Sequence, residues 1–354
     1  MIGERIKRAR VAAGLNQREL AEAAGVSAMA ISKYERGENT PSSTVLLAMA
    51  KALGVRTEYF FRETAMELEE IEFRKHPDLP EKTKHRVLAD AHEQLERWAA
   101  LDHVMPGSWV MTFRVPSDLP QQVNSYDEVE GVAEKVREAW HLGFDPIPDL
   151  VETVEAHGIT VLLSKYAEAK SFDGLAGAMN DHSVVVVGAA LPGDRQRFTL
   201  AHELGHLMLK GRLSENLSEE DACHRFAGAF LVPKRAVLQA LGKSRQWLEP
   251  QELWLLKRKY GLSMGAWTFR ARDLGIINQN TMSQLWQLLK LNGWDKLEPN
   301  PQYPQETSRR FERYVYRALA ENIIGESKAA ELLVISVSTL HAERQLERAG
   351  DNNQ

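Results

Sequence analysis

The sequence predicts a multidomain, mainly α-helical protein with one small β-sheet, and three observations predict it. From Ile2 to about Phe61, short amphipathic helical runs are broken at Gly14, Gly25, Gly37 and Gly54. Two β-branched apolar runs, "ITVLLSK" and "SVVVVGAAL", precede the stretch "RFTLAHELGHLMLKG", the second closed by a turn at Pro192 and Gly193. Beyond Trp247 the pattern is helical again, with a polar break near "LEPNPQYPQETS".

At 354 residues the chain has room for two or three domains. The net charge of −5 hides an asymmetry: residues 1–62 hold ten Lys/Arg against six Asp/Glu, a net of +4, so the remainder is acidic. A basic end on an acidic protein suggests a module made for an anionic partner. A single cysteine, Cys223, excludes an intramolecular disulfide and fits a reducing cytoplasm. The start "MIGERIKRAR" lacks the apolar core of a signal peptide. No run approaches the roughly 18 apolar residues of a membrane span, so a soluble, cytoplasmic protein is expected.

The expected domains are 1–64, a helical linker at 65–125, a second domain at 126–245 and a helical region at 246–354. In the linker, "LPEKTKHRVLADAHEQLERWAALDHVM" is charged and helix-prone, with Pro80 at a suitable first turn. It reads as a solvated connecting helix or a dimerisation helix. "MPGSWVMTFRVPSDLPQ" then marks a boundary. Helices over 128–140 and in "IPDLVETVEAHG" lead to the two strands.

"NQRELAEAAGVSAMAISKYERG" has the grammar of a helix-turn-helix. Leu20, Ala21 and Ala24 form the inner face of a first helix, Gly25 supplies the turn, Val26 packs beneath it, and Ser27 caps a second helix. Ile31 and Tyr34 face inward on that second helix, leaving Ala28, Met29, Ser32 and Lys33 outward. Small and polar residues at the start of an exposed helix suit entry into a DNA major groove. Gln17, Lys33, Arg36 and Asn39 are placed for phosphates, with Ser27 at the same DNA-facing helix start.

In "HELGH", 3.6 residues per turn put His202 and His206 on one face, about 6 Å apart along the axis. Two imidazoles so placed can take two corners of a zinc tetrahedron. Glu203 sits beside the first ligand, where its carboxylate can reach a metal-bound water of pKa near ~7, accept its proton and later pass it to a leaving amine. Catalytic zinc needs a third protein ligand, and the pattern HExxHxxGxxH is not continued, because Leu209 and Arg212 stand at its last two fixed positions. The helix-like stretch "LSEEDACHRFAGAFLVP" offers Glu219, Glu220, Asp221, Cys223 and His224, and spacing alone leaves the choice open.

Residues 3–61 resemble the XRE family of lambda-repressor-like DNA-binding domains, through "Q-x-x-L-A-x-x-A-G-V-S", "I-S-x-Y-E-x-G" and "P-S…L-x-x-A-x-A-L-G-V". That resemblance implies sequence-specific binding to double-stranded DNA, as a homodimer on an inverted repeat, with Ala28, Met29, Ser32 and Lys33 reading bases. "RQRFTLAHELGHLML" with "E-x-x-C-H-R-F-A-G-A-F-L-V-P" resembles the ImmA/IrrE family of metallopeptidases, and "SFDGLAGAMNDHSVVVVGAALPGD" fits its strand region. This resemblance implies an α+β zincin-like domain, a Zn2+ cofactor, and a glutamate third ligand ahead of "F-A-x-x-[FL]-L-x-P". By register that is Glu220, six residues before Phe226, with Glu219 as the alternative and Cys223 and His224 as packing or supporting residues. The chain departs from the family in having Gly188 where an asparagine is common.

Together these resemblances imply a DNA-binding regulator carrying a zinc endopeptidase of the HExxH type. Its expected substrate is a repressor-like or antitoxin-like protein, or the chain's own linker, in a mobile-element, toxin–antitoxin or stress-response circuit. The alternative is a regulator or antitoxin-like binding protein whose zinc domain is structural or binds a partner without hydrolysis. Near the C-terminus, "LLKRKYGLSMGAWTFRARDLGII" is like the helical element after the metal site in that family. "GESKAAELLVISVSTLHAER" (325–344) repeats the form of the N-terminal motif, with Ser336 or Ser338 as cap and Val334 where a turn glycine is expected. It is read first as a packing or dimer element. Trp247, Trp254, Trp267, Trp286 and Trp294 are expected in helix packing.

Overall fold

The computed structural model describes residues 2–61, 72–73, 81–109, 112–166, 174–179 and 182–346. Its contacts divide the chain into two compact units. Met1–Glu70, Pro77–Val110 and Arg309–Gln354 make the first, and Ile71–His76 with Met111–Ser308 the second.

The first unit opens with α1 (Ile2–Ala12), α2 (Gln17–Ala24), α3 (Ala28–Glu35), α4 (Ser43–Leu53) and a 3-10 turn at Thr57–Phe61. Each boundary has a chemical cause. Asn16 caps α2 in a capping box with Glu19, Ser27 caps α3, and Ser42 caps α4. Gly25 ends α2 at φ 67°, in the left-handed region that a Cβ makes costly. Gly3 permits a close approach, since a Cβ there would lie 2.3 Å from the Tyr34 carbonyl oxygen on α3. Ile6, Leu20, Ile31, Met49 and Phe60 fill the core between these helices.

Then comes α5 (Glu81–Val104), which packs along α1. Arg5 and Arg8 both reach Glu96, at 2.8 and 2.5 Å. The helix-prone residues 65–80, Pro80 included, lie outside the described residues apart from Glu72 and Phe73.

The second unit carries the sheet: β1 (Glu72–Phe73), β2 (Ile159–Ser164), β3 (Gly174–Met179) and β4 (His182–Gly188), in the order β1-β3-β4-β2. β2 runs parallel to β4, with Ile159 opposite Ser183, and β3 runs antiparallel to it, with Gly174 opposite Val187. Val184 to Val187 are buried, as a central strand covered on both faces requires. Around the sheet lie α6 (Tyr126–Ala139), α7 (Leu150–Ala156), α8 (Gly193–Leu209), α9 (Glu219–Leu231), α10 (Lys234–Leu241), α11 (Pro250–Tyr260), α12 (Met264–Asp273) and α13 (Gln279–Leu291). Trp267 is fully buried, and Trp247, Trp254, Trp286 and Trp294 pack partly buried against the same core.

β3 is a strand without a single β-branched residue. Its first residue has a packing reason: a Cβ on Gly174 would stand 2.5 Å from Thr199 Cγ2 and 3.1 Å from Glu203 Cγ, both on α8. Strand and helix meet there only because the side chain is missing.

The polar stretch before Ser308 ties α8 to its surroundings. Arg197, fully buried on α8, pairs with Glu306 and donates to the Ile147 carbonyl at 2.7 Å. Glu306 Oε2 accepts from the Leu150 and Val151 amides at 3.0 and 3.1 Å, satisfying the first turn of α7. Gln196 accepts from the Glu306 amide at 2.9 Å and donates to the Gly188 carbonyl at the end of β4. A second buried cluster joins α6, α9 and α12: Glu130 receives Arg270 in a fork and Arg225 at 2.6 Å.

The last helices, α14 (Arg310–Ala320), α15 (Glu326–Leu333) and α16 (Val337–Arg344), belong to the first unit. Phe311 and Tyr314 of α14 meet Trp98 of α5 edge-on, at centroid distances of 5.0 and 6.3 Å, and Arg97 donates to the Leu332 carbonyl at 3.3 Å.

Arg197→Leu leaves Glu306 buried without its cation. Chemical denaturation should show the transition of the second unit weakened by about 3–5 kcal/mol; a loss below about 1 kcal/mol, within the range of a surface pair, would refute the role assigned to this ion pair. In the first unit, burial, with Arg8 adding to it against an opposing Glu96, holds the His92 imidazole below its ordinary 6.5. The unfolded chain therefore takes up that proton first, so stability is complete above about pH 6.5 and falls on further acidification. His92→Gln should flatten the pH dependence of the first unit's thermal transition between pH 7 and 5.5, and an unchanged slope would contradict this.

Candidate metal centre and nucleic-acid interface

Helix α8 begins after Pro192 and is buried nearly all round, wedged between the sheet and α9. Helix α9 starts with Ser218 as cap, its hydroxyl accepting from the Asp221 amide, and with Glu219, Glu220 and Asp221 in the first turn, where a helix N-terminus favours negative charge. The two helices touch at Gly205. A Cβ there would lie 3.2 Å from Phe226 Cδ1 and 3.3 Å from Cys223 Cα, so only glycine allows this spacing without displacement.

That approach brings three donor groups together. His202 Nε2 lies 3.2 Å from His206 Nε2 and 3.2 Å from Glu220 Oε2, and His206 Nε2 lies 3.6 Å from Glu220 Oε1. Among the described residues these three side chains form a cluster able to hold a metal, with one ligand atom from each within 4.8 Å of the others. Zinc bonds of about 2.0–2.2 Å in a tetrahedron separate ligand atoms by about 3.3–3.6 Å. With one atom from each side chain the spread is up to 4.8 Å, so the three would close slightly around such an ion, and the donor set of two imidazoles and a carboxylate suits it.

The surrounding side chains decide which ring nitrogen faces inward. His206 Nδ1 lies 2.9 Å from Glu219 Oε1 and 3.3 Å from Cys223 Sγ, on the opposite edge of the ring from Nε2. A carboxylate only accepts, so the Glu219 contact favours the tautomer with the proton on Nδ1 and the lone pair on Nε2. Cys223 is buried and its sulfur is directed to that same outer edge. His224 packs its ring 4.6 Å from that of His202 and stacks on Phe198 at 5.9 Å. Glu203 is buried, with its side chain against Gly174 of β3.

A cavity of about 850 Å³ is lined by His224 and Phe198, with Lys257, Trp286 and Glu298 also in its walls. Lys257 is buried between Asp194 at 3.2 Å and Glu298 at 2.9 Å, so its charge is compensated in place. Neither the Gly174 contact nor this cavity is visible from residue spacing. The only trace in the sequence is the pair of glycines in "DGLAGAM".

In the first unit, Ala28, Met29, Ser32 and Lys33 all sit on α3, with Met29 at 69 % exposure and the others half-buried. Ser27 Oγ accepts from the Ala30 amide at 3.1 Å. Gln17 donates to Glu35 at 2.8 Å, joining the first turn of α2 to the end of α3. Arg36 is exposed and donates to Ser32 Oγ and to Glu38, both at 2.5 Å, and Asn39 is exposed beyond it. The Glu38 carboxylate is thereby held below its usual range, and contact of Arg36 with a phosphate would exchange one anion for another.

The first unit thus contains a helix-turn-helix, and the second a sheet-and-helix domain with a two-histidine, one-carboxylate cluster. Residues 6–60 match the family model described as Helix-turn-helix and residues 154–272 that of the IrrE N-terminal-like domain, so the chain carries an XRE-type domain followed by an ImmA/IrrE-like one. Over 62 residues it is 45% identical to an uncharacterized transcriptional regulator in the ATPase CF(0) region of Rhodospirillum rubrum, covering 18% of this chain and 57% of that one. It is 25% identical over 293 residues to the propionyl-CoA carboxylase regulator of Cereibacter sphaeroides, covering 70% of this chain and 60% of the relative. An SPbeta prophage-derived HTH-type regulator of Bacillus subtilis is 33% identical over 64 residues, covering 18% of this chain and 59% of the relative. The chain therefore spans three fifths or less of the length of each. No helix among the described residues is long and apolar enough to cross a membrane.

Glu220→Ala should reduce zinc affinity in chelator competition far more than Glu219→Ala, for which a loss of about 10–100-fold is expected of a group that only orients a ligand. The reverse order would exchange the two roles.

Proposed function

We propose that this chain is a cytoplasmic transcription regulator whose second unit is a zinc-dependent endopeptidase. Its substrate is a repressor-like or antitoxin-like protein, or a bond in its own 62–125 segment, within a mobile-element, toxin–antitoxin or stress-response circuit. The observation that carries the reading is the convergence of His202, His206 and Glu220 at ligand-atom distances within 4.8 Å, beside buried Glu203, in a chain that also carries a helix-turn-helix.

His202 Nε2, His206 Nε2 and a Glu220 oxygen would hold the zinc. When bound there, zinc supplies Lewis acidity toward a peptide carbonyl and lowers the pKa of water. Glu203 takes the proton of the attacking water and gives it to the departing amine. Its burial between β3 and α8 limits solvent competition for that carboxylate. Glu219 holds the His206 ring in place.

On the DNA side, α3 of a homodimer enters the major groove at each half of an inverted repeat. Ala28, Met29, Ser32 and Lys33 face the bases, while Gln17, Arg36 and Asn39 lie toward phosphates and Ser27 fixes the helix start.

Glu203→Gln should lower kcat/KM for the protein substrate by at least about 100-fold while zinc stoichiometry and DNA binding stay as in the wild type. A second reading has its own support: the relatives are named as regulators, and the cavity beside His224 could receive a ligand without hydrolysis. Regulation that persists in Glu203→Gln would select that reading and defeat the peptidase. Ser32→Ala with Lys33→Ala should weaken operator binding and reduce the salt slope by about 1; an unchanged slope and affinity would remove α3 from the interface.

A further inference from the structure

Helices α15 and α16 repeat the helix-turn-helix pair α2 and α3 at a constant offset of 309 residues. Helix α14 precedes them as α1 precedes α2, but it packs on α15, where α1 packs on α3. Helix α15 (Glu326–Leu333) lies at that offset from α2 (Gln17–Ala24), and α16 (Val337–Arg344) from α3 (Ala28–Glu35). The turn between them is the same turn. Val26 donates to the Ala21 carbonyl at 2.9 Å, and its counterpart Ile335 donates to that of Ala330 at 3.0 Å. Ser27 caps α3 through the Ala30 amide, and Ser336 caps α16 through the Thr339 amide. The cores correspond as well: Ile6, Ala9, Ala21 and Ile31 are matched by buried Val315, Ala318, Ala330 and Leu340.

Two details go beyond likeness of shape. Val334 occupies the place of Gly25 and takes the same left-handed conformation, φ 59° against 67°. A β-branched residue there is a backbone outlier, so the surrounding contacts impose this turn at a local cost. Both first helices also dock on α5, and through equivalent positions: Arg5 pairs with Glu96, and its counterpart Tyr314 packs on Trp98. One helix therefore carries two helix-turn-helix elements.

The outward face of α16 is polar. Ser338 and His341 are exposed where Met29 and Ser32 stand on α3, and exposed Arg344 ends the helix. Of its apolar residues Leu340 points into the core, and Val337 and Ala342, at the positions of Ala28 and Lys33, are half-buried. Such a face suits base edges and phosphates better than an apolar protein groove. Glu326, at the position of Gln17, would repel phosphate, but it is paired with His341 at 2.8 Å and with Arg344. Those hydrogen bonds hold its carboxyl below the usual range.

We propose that α16 is a second recognition helix, reading double-stranded DNA through Ser338 and His341, so that each chain contacts two DNA segments. The proposal rests on the reading of α3 as the first recognition helix and extends it. The test is hydroxyl-radical footprinting of the full-length protein on DNA selected from a random pool by the wild type. Two variants probe α16: Ser338→Ala with His341→Ala, and Ser338→Glu. The second places a carboxylate in the first turn, which favours the helix while opposing phosphate. Both should lose one block of protection and bind at least about tenfold more weakly, with thermal melts like the wild type. Ser32→Ala with Lys33→Ala should lose the other block. Full wild-type protection in both α16 variants would overturn the proposal. A changed sedimentation coefficient with an intact footprint would do the same, assigning the face to a protein contact. An intact footprint confined to the α3 variant would instead defeat the reading of α3 and leave α16 as a reader.

Discussion

The closeness of α9 to α8 is the constraint on which the second unit depends. It is tightest at Gly205, where a Cβ would press on Phe226 at 3.2 Å and on Cys223 Cα at 3.3 Å. Separating the helices by an ångström would carry Glu220 away from two imidazoles it now meets at 3.2 and 3.6 Å, and a metal site loosened that far loses its ligand set. The same contact seats Cys223 and Glu219 against the outer edge of His206. From the other side, Glu130 with Arg225 and Arg270 binds α9 to α6 and α12, so the approach is enforced by packing and by charge.

Buried ions recur around the site in a consistent way. Arg197 with Glu306, Lys257 between two carboxylates, and the Glu130 cluster all lie in or beside the elements that frame α8 and α9. Such pairs contribute little net stability compared with apolar packing of the same volume, because desolvation offsets most of the attraction. Their value is geometric: each permits one arrangement of its helices and penalises others. For a site whose chemistry depends on tenths of an ångström, that restriction is useful.

Locally coded features were legible in the sequence, and those built from distant residues were not. The helix-turn-helix could be read because its caps and its turn glycine act within a few residues. The two histidines of α8 could be read because 3.6-residue periodicity alone puts them on one face. Strand β3 gave no signal of its own in propensity, since Gly174, Ala176 and Gly177 are poor strand formers, and Gly174 is explained only by what α8 brings against it. The segment before Ser308 read as a polar break because its purpose lies in Arg197 and the α7 amides, more than a hundred residues away. Spacing alone could not separate Glu219 from Glu220, since which neighbour in a first helical turn faces the histidines is a matter of orientation. The preference for Glu220 comes from its register against the family's segment. The partnership of the last three helices with α5 was hidden for the same long-range reason.

At the centre of the proposed function stand two imidazoles and one carboxylate as the metal's ligands, with the nearby thiol left out. X-ray absorption at the zinc edge, on protein loaded with one equivalent, tests that ligand set most directly. The prediction is a four-coordinate site with only nitrogen and oxygen neighbours at about 2.0–2.2 Å, the imidazole signal falling by half in His206→Ala. A sulfur neighbour at about 2.3 Å, which only Cys223 or a methionine could supply, or a six-coordinate all-oxygen shell, would contradict it.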